Sequence, residues 1–488
     1  MKFAAVFALL VWSSTAFAGG AKYVKPDVTV PQNWQAQPPW GVAAPKDSIP
    51  KGSWWTLFND PELNDYEARA MANNQGLKAA VGRLAQARSF ARITTSDFYP
   101  RLTAGVSAQR ERLSGNRPLL GGTTLQLHPV TQNDFQVPFD LNYELDLFGR
   151  VRRNVEAANA SYQASAADLE NVRLTVTAEL AADYFQLREL DTEMAVVTKA
   201  IDFEQKGLQV VENRHTGGAA SGLDVAQQQT ILDATMAQLA LLRQQREQFQ
   251  HALAVLQGLP ASSFVAQVRA LAVEPPAVPV ALPSVLLERR PDIAEAERNV
   301  AAANARIGVA RAAFYPSIPL VSSGGFDSRD IASLITAPSA FWSLGVSALE
   351  PLLNGGRNRA NLENARAVYD ENVANYRESA LVAFQQVEDA LSGLNALASA
   401  SEAQSRAVKD ADRALNLANA RYSGGLVNYL DVITAQEQLL NNERLSTQLL
   451  GQRLTTSVLL VKALGGGWDS SSLSAIGVKP TLKQAVQQ

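Results

Sequence analysis

The 488-residue chain has no cysteine, only 3 histidines and almost balanced charge. Each shortage excludes something. Without cysteine there is no disulfide, no thiolate nucleophile, no thiolate-built zinc site and no N-terminal cysteine to carry a lipid. The histidines, His128, His215 and His251, are scattered, and no two form the i, i+4 pair of a helical metal site. A formal net charge of −3 supplies no basic stripe for nucleic acid. Gly465-Gly-Gly467 closes a helical stretch instead of following a strand, so no phosphate-cradling loop is present. Arg289-Arg-Pro-Asp292 has a bland reading as a helix start, with Pro291 in the first turn and Asp292 at the positive end of the dipole. These absences point away from an enzyme and imply no cofactor and no metal.

Long apolar runs are scarce as well. Lys2, the apolar stretch Phe3–Trp12 and the small-x-small sequence Ala16-Phe17-Ala18 read as a signal peptide over 1–18, which sends the chain out of the cytoplasm. No later run reaches the roughly 18 residues of a membrane-crossing helix. The nearest, Leu271–Leu287, is broken by Pro275, Pro276, Pro279 and Pro283. A soluble periplasmic protein or a β-barrel remains.

What is present is helix in unusual lengths. From Gly356 to about Tyr422 no proline occurs, and apolar residues recur at helical spacing. At about 1.5 Å per residue such a helix is roughly 100 Å long, too long for an ordinary core and suited to a coiled coil or a tube wall. A turn, Arg421–Val432, leads to a second helix from about Tyr429 to Leu464; Gly424 and Gly425 permit the left-handed conformation that ends a helix. Another long helix runs from Gly149 to about Arg214. It is followed by a turn with Gly217 and Gly218 and by a helix to about Leu256. Shorter helices are expected from Asp60-Pro61 to about Phe98, and over about Ser284–Phe314.

Between helices the period changes to two. Phe135, Val137, Phe139, Leu141, Tyr143 and Leu145 fall on one face, with Gln136, Asp140, Asn142, Glu144 and Asp146 on the other. Strands are expected at about 101–113, 133–146, 317–328 and 338–350. In the last, Trp342, Leu344 and Val346 alternate with small polar residues. A tilted transmembrane strand has this length, and so has a soluble sheet with one wet face.

The layout is one unit used twice. Gly149 matches Gly356 (356 − 149 = 207), and Tyr162–Tyr369, Arg214–Arg421 and Asp224–Asp431 share that offset. Phe98-Tyr-Pro100 matches Phe314-Tyr-Pro316 at 216. The chain therefore divides into a signal peptide (1–18), an extended N-terminal segment (19–60), a first repeat (61–260), an equatorial linker (261–283), a second repeat (284–467) and a tail (468–488). Four strands cannot close a transmembrane barrel, which needs about eight, and an open sheet in lipid leaves its edges unpaired. If the strands enter a membrane, the chain must oligomerise.

Six motifs then carry a resemblance: Trp54-Trp-x-x-Phe-x-Asp-Pro61, Tyr143-Glu-Leu-Asp-Leu-Phe-Gly-Arg150, Leu287-Glu-Arg-Arg-Pro-Asp-Ile293, Ala313-Phe-Tyr-Pro316, Arg421-Tyr-x-x-Gly-Leu426 and Ala463-Leu-Gly-Gly-Gly-Trp468. Nearly the whole mature chain resembles the TolC-like outer membrane factors of tripartite efflux pumps, nearest the nodulation-type subfamily. The resemblance implies a mainly α fold with a small transmembrane β part. Three chains, four strands each, would form a 12-stranded barrel continued by a long periplasmic α-helical barrel. It implies a homotrimer working with a periplasmic adaptor and an inner-membrane pump of the RND type. It places the chain in the outer membrane, as a passive duct for small molecules. Phe135, Val137, Phe139, Leu141, Tyr143, Trp342, Leu344 and Val346 would face lipid.

The same resemblance places the gate at the two glycine turns. Asp224 and Tyr422 match the hydrogen-bonding network that closes the tip, Leu430 would narrow the pore and Asp431 would add charge beside it. One turn on, family members often carry an aspartate; this chain has Thr434, with Glu437 as the nearby carboxylate. Helix capping alone also favours Asp224 and Asp431 at their positions. Two other readings share parts of the pattern. A soluble coiled-coil adaptor explains the helices but not Phe135–Asp146, and a type I secretion duct has the same fold with protein cargo.

Overall fold

The computed structural model of the chain describes residues 22–31, 34, 52–115, 128–276, 278, 288–468 and 470–478. The signal-peptide reading of 1–18 lies outside these residues, as do most of 19–60, part of the linker and the end of the tail. In chain order the helices are α1 (Pro61–Asn73), α2 (Gln75–Ser96), α3 (Arg150–Thr216), α4 (Gly222–Leu256), α5 (Pro291–Ala312), α6 (Arg357–Ser423) and α7 (Tyr429–Ala463). The strands are β1 (Arg101–Ala104), β2 (Ser107–Leu113), β3 (Val130–Glu144), β4 (Pro319–Ser328) and β5 (Ala340–Val346).

The repeat holds to the residue. Helices α3 and α6 each have 67 residues, and α4 and α7 each have 35. All four pairs of ends differ by 207 (357 − 150, 423 − 216, 429 − 222, 463 − 256). Helices α2 and α5 are offset by 216 at both ends (291 − 75, 312 − 96). Each repeat thus sets one uninterrupted rod beside two helices stacked end to end.

The stacking joints explain a break that the sequence pattern does not anticipate. One helix was expected from 61 to 98, but the chain leaves helical geometry at Asn74, whose ψ is 126°. The Asn74 side chain accepts from the Leu77 amide at 2.9 Å and donates to the Leu256 carbonyl at 2.8 Å, so it caps α2 and receives the end of α4. Arg290 stands in the matching place and donates to the Ala463 carbonyl at 3.0 Å, joining α7 to α5. In the second repeat Glu288 and Arg289 are helical, the chain breaks at Arg290 and α5 restarts at Pro291; the expected start at Ser284 lies outside the described residues. Gly258 and Gly465 let the backbones meet at these joints. Both have positive φ, and a Cβ on Gly465 would lie 2.0 Å from the Arg289 carbonyl oxygen.

The first strand is also interrupted, at Gly105–Val106, without loss of register: Ala104 pairs with Phe139 and Ser107 with Gln136. The break lies opposite Pro138, which has no N–H to give to the ladder. On its other side Pro138 faces Gly325, where a Cβ would fall 2.0 Å from the Val137 oxygen. Taking β1 and β2 as one, the chain contributes four antiparallel strands, and their order is β1/β2–β3–β4–β5. Strands β4 and β5 are shorter than the expected 317–328 and 338–350, although Ser317 and Leu349 still form a bridge.

Below the sheet the helices keep the same order. Helix α3 lies between α2 and α5, and α5 packs on α6, so each strand feeds one helix of a single-layer wall. Alanines make this close approach possible. Ala157, Ala160, Ala164 and Ala167 of α3 and Ala294, Ala301, Ala302 and Ala305 of α5 are buried. Toward the far end the order becomes α4–α3–α7–α6.

The main core sits midway along the rods. Trp54, Trp55, Phe58, Leu63 and Tyr66 pack on Tyr184 and Phe185 of α3, with Ile293, Tyr376, Leu391 and Val458 around them. A buried charge network binds the layers at this height. Asp191 accepts from Arg188 at 2.7 Å, from Arg246 at 2.6 Å and from the Arg269 amide at 3.1 Å. Arg188 also reaches Glu62 at 2.5 Å, and Asp60 accepts from Tyr184 at 2.8 Å and from Arg269 at 3.0 Å. Each ion is matched, as burial demands.

Candidate functional site

Two places bear on function: the far tips of the rods and the two faces of the sheet. They lie roughly 100 Å apart, the length of a 67-residue helix at about 1.5 Å per residue.

At each tip the rod ends in a Schellman turn. Ala219 N–H donates to the Arg214 carbonyl at 2.7 Å, and Leu426 N–H to that of Arg421 at 2.9 Å. Only the second glycine of each pair is left-handed, with φ of 75° at Gly218 and 72° at Gly425; Gly217 and Gly424 keep φ near −80°. The left-handed conformation expected of Gly424 therefore belongs to Gly425 alone. The helices restart on capped ends. Ser221 and Asp224 form a reciprocal capping box, with Asp224 Oδ2 accepting from the Ser221 amide at 2.8 Å and from its hydroxyl at 2.9 Å. Asn428 caps α7 by accepting from the Asp431 amide at 3.3 Å. Asp224 and Asp431 thus stand in the first helical turns, where capping favours an acid.

The expected tip residues separate into two settings. Tyr422 packs inward, its ring 5.0 Å from that of Tyr429 and under the Arg214 guanidinium at 4.6 Å. Leu430, Asp431, Thr434 and Glu437 lie together on an exposed face of α7. The Thr434 hydroxyl donates to the Leu430 carbonyl at 2.9 Å, turned to its own helix.

Sequence reasoning missed what holds the two tips together. Tyr429 is buried, with Val211, Leu415, Val432 and Ile433 around it. Its hydroxyl sits against Gly207 of α3, where a Cβ would be only 2.6 Å away. Gln228 is fully buried beside it and donates to the Glu204 carbonyl at 2.9 Å. The Glu204 carboxylate, 3% exposed, accepts from Thr235 at 3.1 Å. Burial pushes this carboxyl up to about 7, Thr235 offsets part of the rise, and the charge of Glu437 adds to it. Burial likewise pushes Tyr429 up to about 12. A signal for the seat was present: Gly207 is the sole glycine in the 67 residues of α3, and an isolated helical glycine often marks a close approach.

At the other end the sheet sorts its residues by face. The register aligns Leu102 with Leu141 and Ala104 with Phe139. It aligns Val137 with Phe326, Tyr143 with Leu320, Leu344 with Ser322 and Trp342 with Gly324. Phe135, Val137, Phe139, Leu141, Tyr143, Trp342, Leu344 and Val346 therefore share one face. It is not a soluble core: Trp342 is 84% exposed, Leu344 68% and Val346 65%. The opposite face carries Asp134, Asp140 and Asp327, hydrogen-bonded to Gln109, Ser323 and Gln136. No helix among the described residues is long and apolar enough to cross a membrane.

The family model for outer membrane efflux proteins matches residues 68–259 and 282–466, both repeats of the chain. The chain belongs to the outer membrane efflux protein family. It is 33% identical to the pyoverdine export outer membrane protein OpmQ of Pseudomonas aeruginosa, over 91% of this chain and 92% of that one. It is 30% identical to the cation efflux system protein CusC of Escherichia coli, over 92% and 95%. Among solved structures, the outer-membrane channel OprN superposes with a TM-score of 0.85 at 28% identity, covering 92% of this chain and 99% of that one. The open state of the Neisseria gonorrhoeae MtrE outer membrane channel gives 0.80 at 28%, covering 92% and 98%. This efflux protein is accordingly an outer-membrane channel component with a large periplasmic helical part, and the relatives named are efflux proteins, not enzymes.

Proposed function

We propose that three copies of this chain assemble into a passive exit duct, fed by an inner-membrane pump of the RND type through a periplasmic adaptor. The observation that carries this reading is the sheet. Its apolar face is exposed, its other face is polar, and both edges, β1/β2 and β5, are open. Unpaired edges are not tolerated in lipid, and four strands are too few to close. Three copies give 12 strands, each continuing into a helix of the wall. The apolar face meets lipid and the polar face lines a water-filled bore.

The relatives' names cover pyoverdine, toluene and cations, and we assign small molecules as cargo. The duct closes at the tips. Leu430 narrows the bore, Asp431 and Glu437 charge it, and Glu437 supplies the carboxylate that Thr434 does not. Asp224 and Tyr422 hold the closed arrangement through the capped turn and the Arg214–Tyr422–Tyr429 stack. Opening separates the α6–α7 hairpin from the α3–α4 hairpin.

Reconstitution of the purified full chain in planar bilayers tests the reading. The expected result is a trimer that stays in the outer membrane until detergent is added and gives a small conductance that rises when the tip is loosened. A monomer released by salt contradicts it.

A further inference from the structure

The two faces of the sheet differ in charge as well as polarity. Within the strands every acid, Glu111, Asp134, Asp140, Glu144 and Asp327, has the register of the polar face, as has Arg101. The apolar face carries only two charged strand residues. Ala108 pairs with Phe135 on that face, so Arg110, opposite Asn133, and Arg112, opposite Thr131, share it. Both arginines are exposed, and neither forms an ion pair with a carboxylate among the described residues. Asp330, in the bend after β4, is two strands away. The two positions are about 7 Å apart along the strand backbone, two residues at roughly 3.4 Å each.

Their height is informative. From Tyr143 to Phe135 the apolar run on β3 spans 143 − 135 = 8 residue steps, about 26 Å along the strand. Strand tilt shortens that to roughly 20 Å, close to the apolar band of about 25 Å in outer-membrane barrels. Arg110 and Arg112 lie just beyond it, at the end away from the helices. The periplasmic rods fix that end as the outward one.

We infer that Arg110 and Arg112 form a docking site for the phosphate groups of lipids in the outward-facing leaflet. Two planar guanidiniums on a lipid-side face, with uncharged Asn133 and Thr131 across from them, suit a phosphate ester. A phosphate in solution has no reason to prefer this spot, because the apolar band below it holds only a lipid's acyl chains. The inference rests on the proposed orientation of the sheet, with its apolar face toward lipid.

The test is native mass spectrometry of the full-length assembled protein, titrated with diphosphoryl lipid A. Each arginine is expected to contribute about fivefold in affinity, so Arg110→Gln/Arg112→Gln binds roughly thirtyfold more weakly. Arg110→Lys/Arg112→Lys, which keeps the charge but loses the planar fork, binds more weakly than the parent and more tightly than the double glutamine variant. Glu111→Gln, on the opposite face, leaves it unchanged. Lipid A stripped of phosphate binds like the double glutamine variant, and inorganic phosphate does not compete. Equal binding by the double glutamine variant and its parent overturns the site. Bromolipid quenching of Trp342 fluorescence separates the two levels of the claim. Quenched Trp342 with unchanged lipid A binding defeats the phosphate site alone. Unquenched Trp342, with altered ion selectivity in the arginine variants, defeats the face assignment beneath it.

Discussion

A single methyl group at Gly207 should open the tip. Its Cβ would lie 2.6 Å from the Tyr429 hydroxyl and 3.4 Å from Gln228 Nε2. Tyr429 is buried and backed by Tyr422, which lies under Arg214. The phenol cannot simply swing away, so α7 must shift by several tenths of an ångström. Overpacking of this kind costs about 1–3 kcal/mol. Alanine in place of glycine recovers about 1 kcal/mol of helix propensity, but that gain belongs to α3 in both the closed and the open tip. On the proposed opening, which parts the α6–α7 hairpin from the α3–α4 hairpin, the clash belongs to the closed tip alone. A loss of about 1.4 kcal/mol raises the open population tenfold, so Gly207→Ala should increase the time spent at high conductance by about 5- to 140-fold. Tyr429→Phe removes the clashing oxygen, and Gly207→Ala/Tyr429→Phe should return the conductance most of the way to the parent value. The assay is single-channel recording in planar bilayers. Gly207→Ala with parental conductance, or a double variant more open than Gly207→Ala, refutes the seat.

Phe139→Arg puts a charge at mid-band, where lipid-facing arginine costs about 2–4 kcal/mol per site; the trimer yield on size-exclusion chromatography should fall sharply, and a normal yield means the faces are inverted. Asp224→Ala breaks the capping box, which costs about 1 kcal/mol; conductance should rise, whereas a lower melting temperature with unchanged conductance would limit Asp224 to capping. Glu204, raised to about 7 by burial, binds its proton more tightly in the folded tip than in the unfolded chain. The contribution of Glu204 to tip stability should therefore be fully present below about pH 4.5 and decline by at most about 1.4 kcal/mol per pH unit as pH rises toward 7. Amide exchange of α7 from pH 5 to pH 8 reads this, and Glu204→Gln should abolish the dependence.

Most of the fold was legible because it follows from periodicity. The constant offset between Gly149 and Gly356 announced the repeat, and the alternation from Phe135 to Tyr143 announced the strand. The joints were hidden. Asn74 looks like any helical polar residue, and only the distant Leu256 carbonyl explains why the helix stops there. The interruption at Gly105 depends on Pro138, which lies on another strand. Local chemistry revealed the tip turns and their caps. The seat of Tyr429 on Gly207 joins residues more than 200 positions apart, and no local pattern reports it. The Asp191 network was invisible for the same reason, since its arginines come from α3, α4 and the segment around Arg269.

The orientation of the sheet is tested most directly by two adjacent residues. The chain has no cysteine, so Phe139→Cys and Asp140→Cys can be made singly without background. In outer-membrane vesicles, a membrane-impermeant maleimide small enough to enter the bore should label the cysteine at 140 and leave the one at 139 untouched. A lipid-soluble maleimide should label 139. Labelling of 139 from water with protection of 140, or equal labelling of both, contradicts a lipid-facing apolar side and a water-filled bore.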